Sequence, residues 1–501
     1  MKLLISIFTA ILCCVSTLPS QAQSRSIVFE RGPIILNLEA HRPLAAPAKA
    51  TPQFDTTLAS RIYGALLATY NAAEPYDLHG VGFSILIPGQ PQITGTIGLN
   101  DDVNPLDSSL HFEVGSITKT FTTALIMKLQ EEGKLSIKDS IHKWLPAYPN
   151  IDTNITIQQL LSHSSGIFDY FNDDTNGTAA NEQYGIDPSK HWTPQDILSY
   201  VGKPNFAPGK GYRYCNTGFV LLAMIAEKAG GASFRDQLHA NFIDPLHLTH
   251  TYVGGYDSIP GLFAHNWFLY DSASFEDFYD IDKEAQLTGS FGDGNIVSTP
   301  GDLARWGAAL YLGKAITETS VKAMISPLHN ITGAGLYGLG TQEASYYSKK
   351  TYGHSGHLFG FTSAMFTNLV DSVTVVAYLN ADGDPFINGI SVNDYLVDML
   401  NEIYLAPSSV IPINGVRVST QAYPNPATNR VTIAFGLKQS DKVILRVYNP
   451  LGEEIQTVFD AWMSSGMHEA AIETQLLPTG SYFYTIQTSD GTQSGKFSVE
   501  H

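Results

Sequence analysis

Three short stretches put reactive side chains at spacings that chemistry could use. In Ser116-Ile117-Thr118-Lys119, a glycine-containing loop runs into a helix. Ser116 then stands at a helix N-terminus, where unpaired N–H groups point outward. Lys119 follows one turn later on the same face. A serine hydroxyl is a weak nucleophile and needs a neighbouring base. An amine whose pKa is lowered by burial can serve. The spacing alone is common: Ser140-Ile141-His142-Lys143 has it too and reads as an exposed surface turn.

The second stretch is Tyr214-Cys215-Asn216, just ahead of an apolar segment from Phe219. Residues two apart in an extended segment project from the same side. The phenol can shuttle a proton, and the carboxamide can hold an ammonium and a substrate carbonyl. Tyr148-Pro149-Asn150, Tyr170-Phe171-Asn172 and Tyr423-Pro424-Asn425 share the pattern. The third stretch, Gly353-His354-Ser355-Gly356-His357, reads as part of a strand. Its glycines allow close approach, and an extended substrate could pair with it as an added strand. His354 and His357 also raise a metal pair or a core histidine as alternatives. Three apart on a strand they face opposite sides, which disfavours the metal.

Elements must hold these stretches in place. Leu58, Ile62 and Leu66 recur with helical period. Val81 to Ile87 and Ile93 to Leu99 flank Gly89-Gln90-Pro91 as a hairpin. Thr118 to Glu132 is expected to be a helix stopped by Gly133, with Phe121, Leu125 and Leu129 on one face. Shorter or apolar helices are expected at Thr156 to Leu161, Phe219 to Ala229, Gly301 to Leu312 and Asn393 to Tyr404. Thr351 to Phe366 and Ser372 to Leu379 read as neighbouring strands. Strands at both ends around a block of helices predict an α/β (α+β) domain of about 350 residues.

Taken in order, the three stretches resemble the serine β-lactamase and penicillin-binding-protein superfamily, in its class C-like branch. That branch holds β-lactamases, D-alanyl-D-alanine carboxypeptidases, D-aminopeptidases and esterases. The resemblance covers about 55–405. It extends to Gly133-Lys134-Leu135-Ser136-Ile137-Lys138-Asp139, to the stretch from Ile155 to Gly166, to Ser298 through Trp306, and to Tyr337-Gly338-Leu339-Gly340. It implies a sheet packed by helices beside a helical region, with the site between them. It also implies roles. Ser116 attacks a carbonyl to give an acyl-enzyme, Lys119 takes its proton and Tyr214 passes one to the leaving group. Asn216 holds Lys119 and the substrate amide, and His354, Ser355, Gly356 and His357 flank the substrate. The backbone N–H groups of Ser116 and His357 form an oxyanion hole. No metal or organic cofactor is implied.

Two departures stand out. Cys215 replaces a usual Ser or Ala, and alternation points it away from the site. His354 stands where class C β-lactamases carry Lys, which favours carboxypeptidase- or esterase-like relatives over a β-lactamase. The expected function is therefore a serine hydrolase of an ester or a D-amino-acid amide. A class C-like β-lactamase, or a catalytically idle binder of peptidoglycan peptides, is the alternative. His354 could act as a cation for a substrate carboxylate or, neutral, bond Tyr214.

Composition sets outer bounds. With 29 Lys and Arg against 47 Asp and Glu, the 501-residue chain has a net charge of −18. So acidic a chain argues against nucleic acid as a partner, which needs clustered cations. The apolar run Leu3 to Leu18 after Met1-Lys2, with Ser20-Gln21-Ala22 behind it, reads as a signal peptide over 1–22. Its removal leaves Cys215 as the single cysteine and excludes an intrachain disulfide. An extended arm over 23–54 would follow.

Ala406 to Gly415 begins a linker, placed at 406–416. Beyond it, short strands with frequent turns predict a β-sandwich of about 85 residues over 417–501. Tyr423-Pro424-Asn425-Pro426, Leu477-Pro478-Thr479-Gly480-Ser481-Tyr482 and Gly495-Lys496-Phe497 resemble the sorting domain of the type IX secretion system of Bacteroidetes. That resemblance implies export through the periplasm to the surface or the outside, with the secretion machinery as partner. Oligomeric state is not legible.

Overall fold

The computed structural model describes residues 35–37, 79–172, 180–271, 274–326, 329–331, 335–346 and 349–382. In the tail it describes 420–437, 440–449, 454–464, 466–475, 477–488 and 491–501. The expected signal peptide, the helix around Leu58, the helix at 393–404 and the linker lie outside these residues. The chain divides into two compact units, Met1–Ala406 and Pro407–His501.

The first unit is built on a nine-stranded sheet among the described residues. Its strands are β1 (Ile35–Asn37), β2 (Gly80–Leu86), β3 (Ile93–Gly98), β9 (His329–Ile331), β10 (Gly335–Tyr337), β11 (Gln342–Tyr346), β12 (Lys349–Leu358), β13 (Phe361–Asn368) and β14 (Val373–Leu379). They lie in the order β1-β3-β2-β14-β13-β12-β11-β10-β9. Every neighbouring pair is antiparallel. The sheet therefore belongs to the α+β side of the expected class. Central β13 and β14 are buried along their whole length. Both faces of these strands are covered, which matches the nearly unbroken apolar sequence of β14; β13 also buries Thr362, Ser363, Thr367 and Asn368.

One detail differs from expectation. The run from Thr351 to Phe366 is not one strand: it folds back at Phe359-Gly360 into β12 and β13, with Gly360 at φ +90°. Its apolar pattern continues across the turn, so periodicity gave no break. Within the N-terminal arm, Ile35–Asn37 pairs with β3 as an extended strand.

Between β3 and β9 come the helices and, except for β15, the strands of two small sheets. β4 (Phe112–Glu113), β5 (Tyr252–Val253) and β8 (Ile296–Ser298) form one sheet. β6 (Trp267–Asp271), β7 (Ser274–Asp277) and β15 (Ala381–Asp382) form the other. Helices α1 (Thr118–Glu131), α2 (Ile157–Leu161), α3 (Ala180–Ile186), α4 (Pro194–Leu198), α5 (Asn216–Gly230), α6 (Phe234–Leu238), α7 (Glu284–Gly289), α8 (Pro300–Tyr311) and α9 (Glu318–Met324) complete the unit.

Local sequence explains their ends. Thr156 caps α2 in a reciprocal capping box with Gln159. Thr299 caps α8, with Pro300 in its first turn. Gly231, at φ +76°, ends α5 in a left-handed conformation that glycine adopts without strain. Helix α1 is buried on nearly every side from Thr118 to Met127. It packs on α5, and Phe121 stacks on Trp306 of α8 at 4.0 Å between ring centroids.

The second unit contains β16 (Thr420–Tyr423), β17 (Arg430–Leu437), β18 (Asp441–Tyr448), β19 (Glu454–Met463), β20 (Gly466–Glu473), β21 (Gly480–Thr488) and β22 (Gly491–Val499). They form sheets β16-β17-β20 and β19-β18-β21-β22. Val431, Ile433, Phe435, Val443, Leu445, Val447, Tyr484 and Phe497 share one core. The alternation of β18 places Val443, Leu445 and Val447 inward, as a half-buried strand requires.

Candidate active site

Ser116 sits in a tight turn, Gly115–Ile117, that runs straight into α1. The turn lies against β12. Gly115 has φ +54°, and a Cβ there would come 2.8 Å from the backbone nitrogen of His357. A Cβ on Gly356 would come 2.0 Å from the carbonyl oxygen of Val114. Both glycines are thus needed for strand and nucleophile loop to touch. Ser363 of β13 donates to the same Val114 carbonyl at 3.0 Å.

Lys119 is fully buried and spends its three ammonium protons on three acceptors. They are Ser116 Oγ at 3.0 Å, Asn216 Oδ1 at 2.7 Å and the backbone oxygen of Asp293 at 2.9 Å. Burial lowers its pKa to about 8, against the pull of nearby Asp293 and Asp169. The similar Ser140 and Lys143 pair does not build a site: Lys143 is exposed and pairs with Asp139 at 2.8 Å.

Asn216 opens α5, next to the extended Cys215. Its carboxamide orientation follows from its partners. Nδ2 donates to the carboxylate of Asp169 at 3.1 and 3.3 Å, so Oδ1 must face Lys119. Tyr214 lines the cavity with Ser116, and its ring centroid is 5.0 Å from Lys119 Nζ. Burial pushes the phenol well above its usual range, while Ser116 pulls the other way. Cys215 points into the core, with Sγ against the carbonyl of Ile167. His163 braces this segment: its Nδ1 accepts from Cys215 N at 3.1 Å, and its ring lies 4.3 Å from that of Tyr214.

The segment of β12 beyond Gly353 runs past the last pairing of β11, at Gln342, while β13 continues beside it to Leu358. The side chain of Gln342 receives the N–H and Oγ–H of Ser355 at 3.0 and 3.2 Å. His354 is buried. Its Nδ1 lies 2.6 Å from the carbonyl of Ser355, so that nitrogen carries the proton, and Nε2 accepts from Tyr337 Oη at 3.0 Å. Burial, with Lys119 nearby, depresses its pKa to about 3. His354 is therefore neutral at physiological pH. The charged role anticipated for it does not fit, and its phenolic partner is Tyr337 rather than Tyr214.

Ser116, Tyr214, Asn216, His354, Ser355 and His357 line one cavity of about 240 Å³. Lys119 lies behind its wall. Tyr170, Asn172, Asp293 and Gln342 also line it, and sequence reasoning missed them. Tyr170-Phe171-Asn172 has the spacing of the second motif, but that spacing recurs too often in the chain to single it out. Asp293, between Gly292 and Gly294, offered no local pattern. Asp169 accepts from Phe171 N at 3.0 Å and Asn172 Nδ2 at 2.8 Å besides Asn216. Tyr170 Oη donates to Asp293 Oδ2 at 2.7 Å, and burial raises the Asp293 pKa to about 7.

Comparison with known proteins agrees with this fold. Residues 65–390 match the Beta-lactamase family, and 421–500 match the Secretion system C-terminal sorting domain. Penicillin-binding protein 4* of Bacillus subtilis (strain 168) is 30% identical over 295 residues, covering 56% of this chain and 63% of that protein. Teichoic acid D-alanine hydrolase of Staphylococcus aureus (strain MRSA252) is 27% identical over 304 residues, covering 58% of this chain and 66% of that protein. The match thus spans slightly less than two thirds of either relative. Among solved structures, a D-stereospecific amidohydrolase from Streptomyces sp. superposes with a TM-score of 0.57 at 25% identity, over 64% of this chain and 94% of that one.

Proposed function

The chain belongs to the Beta-lactamase family, and from that premise we propose that it is an exported serine hydrolase working through an acyl-enzyme on Ser116. The observation that carries this reading is the single ammonium of Lys119 bonded at once to Ser116 Oγ and Asn216 Oδ1. In its neutral form Lys119 takes the Ser116 proton as Oγ attacks a carbonyl carbon. The tetrahedral oxyanion is received by the backbone N–H groups of Ser116 and His357. Tyr214 relays the proton to the departing amine or alcohol, and the C–N or C–O bond breaks. Water then attacks the ester on Ser116, gives up its proton to the same groups and frees the acid.

The substrate we favour is a D-amino-acid amide or ester. The relatives named for D-alanine hydrolysis and D-stereospecific amide hydrolysis support this. Among the described residues lining the cavity there is neither a lysine nor an arginine, and His354 is neutral. A leaving group ending in a free carboxylate, as in D-alanyl-D-alanine peptides, meets no lysine or arginine among these described lining residues. The sorting domain marks the chain for export to the surface or the outside; we assign that route to type IX secretion machinery, after cleavage of a signal peptide at 1–22.

A panel of D-alanine nitroanilide, a short-chain nitrophenyl ester, a D-Ala-D-Ala peptide and a chromogenic cephalosporin tests this function. The first two should turn over fastest, and Ser116→Ala should abolish both. Faster turnover of the cephalosporin would replace the reading with a β-lactamase.

A further inference from the structure

We propose that the Asp293 carboxylate is the receptor for a free ammonium group on the acyl side of the substrate. This specifies the substrate as an aminoacyl amide or ester with an unblocked α-amine, and it rests on the acyl-enzyme reading above. Two buried carboxylates stand beside the nucleophile, and their hydrogen bonds separate them. Asp169 is saturated by Phe171 N, Asn172 Nδ2 and Asn216 Nδ2. The carboxylate of Asp293 receives one hydrogen bond among the described residues, from Tyr170 Oη to Oδ2. Yet Asp293 lines the same cavity as Ser116 and is only 4% exposed.

Lys119 cannot satisfy it. The three protons of that ammonium go to Ser116, Asn216 and the backbone oxygen of Asp293, not to its carboxylate. A carboxylate held in a cavity without a cation in contact costs free energy until one arrives. An α-ammonium stands two bonds from the carbonyl carbon that Ser116 attacks. Asp293 is tied to the same lysine that holds Ser116, so a carbonyl at Oγ places its α-nitrogen in this region of the cavity. Binding there favours the ionised form of a carboxyl whose pKa burial has raised to about 7 and gives it a charge-assisted hydrogen bond. An acylated or missing amine leaves Oδ1 without a cation.

The experiment compares three nitrophenyl esters: D-phenylalanine, its N-acetyl derivative and 3-phenylpropanoate, which lacks the amine. Each kcat/KM is normalised to spontaneous hydrolysis, because the ammonium itself activates the ester. The full-length protein should favour the free-amine ester over 3-phenylpropanoate by at least about tenfold. Asp293→Asn should bring that ratio close to one, and Asp293→Glu should restore part of it. A normalised ratio near one in the unmodified protein, or a ratio that survives Asp293→Asn, overturns the proposal. Should the variant fail to fold, inhibition of 3-phenylpropanoate turnover decides. Phenethylammonium should then inhibit at least about tenfold more strongly than uncharged phenethyl alcohol, and equal inhibition overturns the proposal. Turnover of the esters that persists in Ser116→Ala would remove the acyl-enzyme reading and this inference with it. Ser116-dependent turnover without amine preference removes the inference alone.

Discussion

Lys119 must be neutral to accept a proton, yet it is bonded as an ammonium to three oxygens. With its pKa lowered to about 8 by burial, the base form grows as pH rises. The sign is clear: kcat/KM for a neutral ester should climb about tenfold per pH unit below 8 and level off above it. Because Asp169, Asp293 and Tyr214 titrate in the same field, the measured value belongs to the cluster. A kcat/KM that is flat from pH 6 to 9 would remove Lys119 as the base. Asp169 acts through Asn216. Asp169→Ala frees the carboxamide to turn its NH2 toward Lys119, so kcat should fall by about tenfold or more with little change in KM. An unchanged kcat would show that Asn216 needs no external hold.

Among the elements, α1 positions the site because it is pinned from several sides. Its Phe121 stacks on Trp306, whose Nε1 donates to Thr120 Oγ1 at 2.9 Å. Phe121→Ala should cost about 3–5 kcal/mol, read as a fall in denaturation midpoint; a loss under about 1 kcal/mol would mean that the core refills. Strand β4 carries a different load. Glu113 is wholly buried, with Gln286 donating to one oxygen and Lys283 3.9 Å from the other. Burial raises its pKa to about 7, against the lowering effect of Lys283. The folded state then keeps a proton that the unfolded chain loses above about 4.5. Stability should therefore fall as pH rises from about 4.5 to 7, and Glu113→Gln should flatten that slope. Parallel curves of melting temperature against pH for the two proteins would refute the assignment. These elements were also where sequence was most readable. The helices at 118, 156, 219 and 301 came within a few residues because caps, glycines and a 3.6-residue period agree there. The turn at Phe359-Gly360 was hidden because the apolar residues Leu358, Phe359 and Phe361 run straight across it. Asp169, Tyr170 and Asp293 were hidden because a loop residue's partner is set by tertiary approach, which carries no period.

For the molecule as a whole, the two compact units have separate cores. Among the described residues, the tail's fifteen buried core residues come from its own strands and, for Ala427, the segment between β16 and β17, so it has no need of the hydrolase unit to close its sheets. Removing 417–501 should leave kcat unchanged and leave the protein in the periplasm. Lost activity in the purified truncation would mean that the tail supports the site, and normal export without it would assign the sandwich to binding. The acidic balance of −18 argues against a nucleic-acid partner, whose phosphates require clustered cations.

The catalytic expectations all depend on one covalent bond. Incubating the full-length protein with a fluorophosphonate, digesting it and sequencing the labelled peptide by mass spectrometry tests that bond directly. The adduct should sit on Ser116, form at stoichiometric yield and slow at least about tenfold in Lys119→Ala. An unlabelled protein, or a label on another serine such as Ser140, would contradict the acyl-enzyme account.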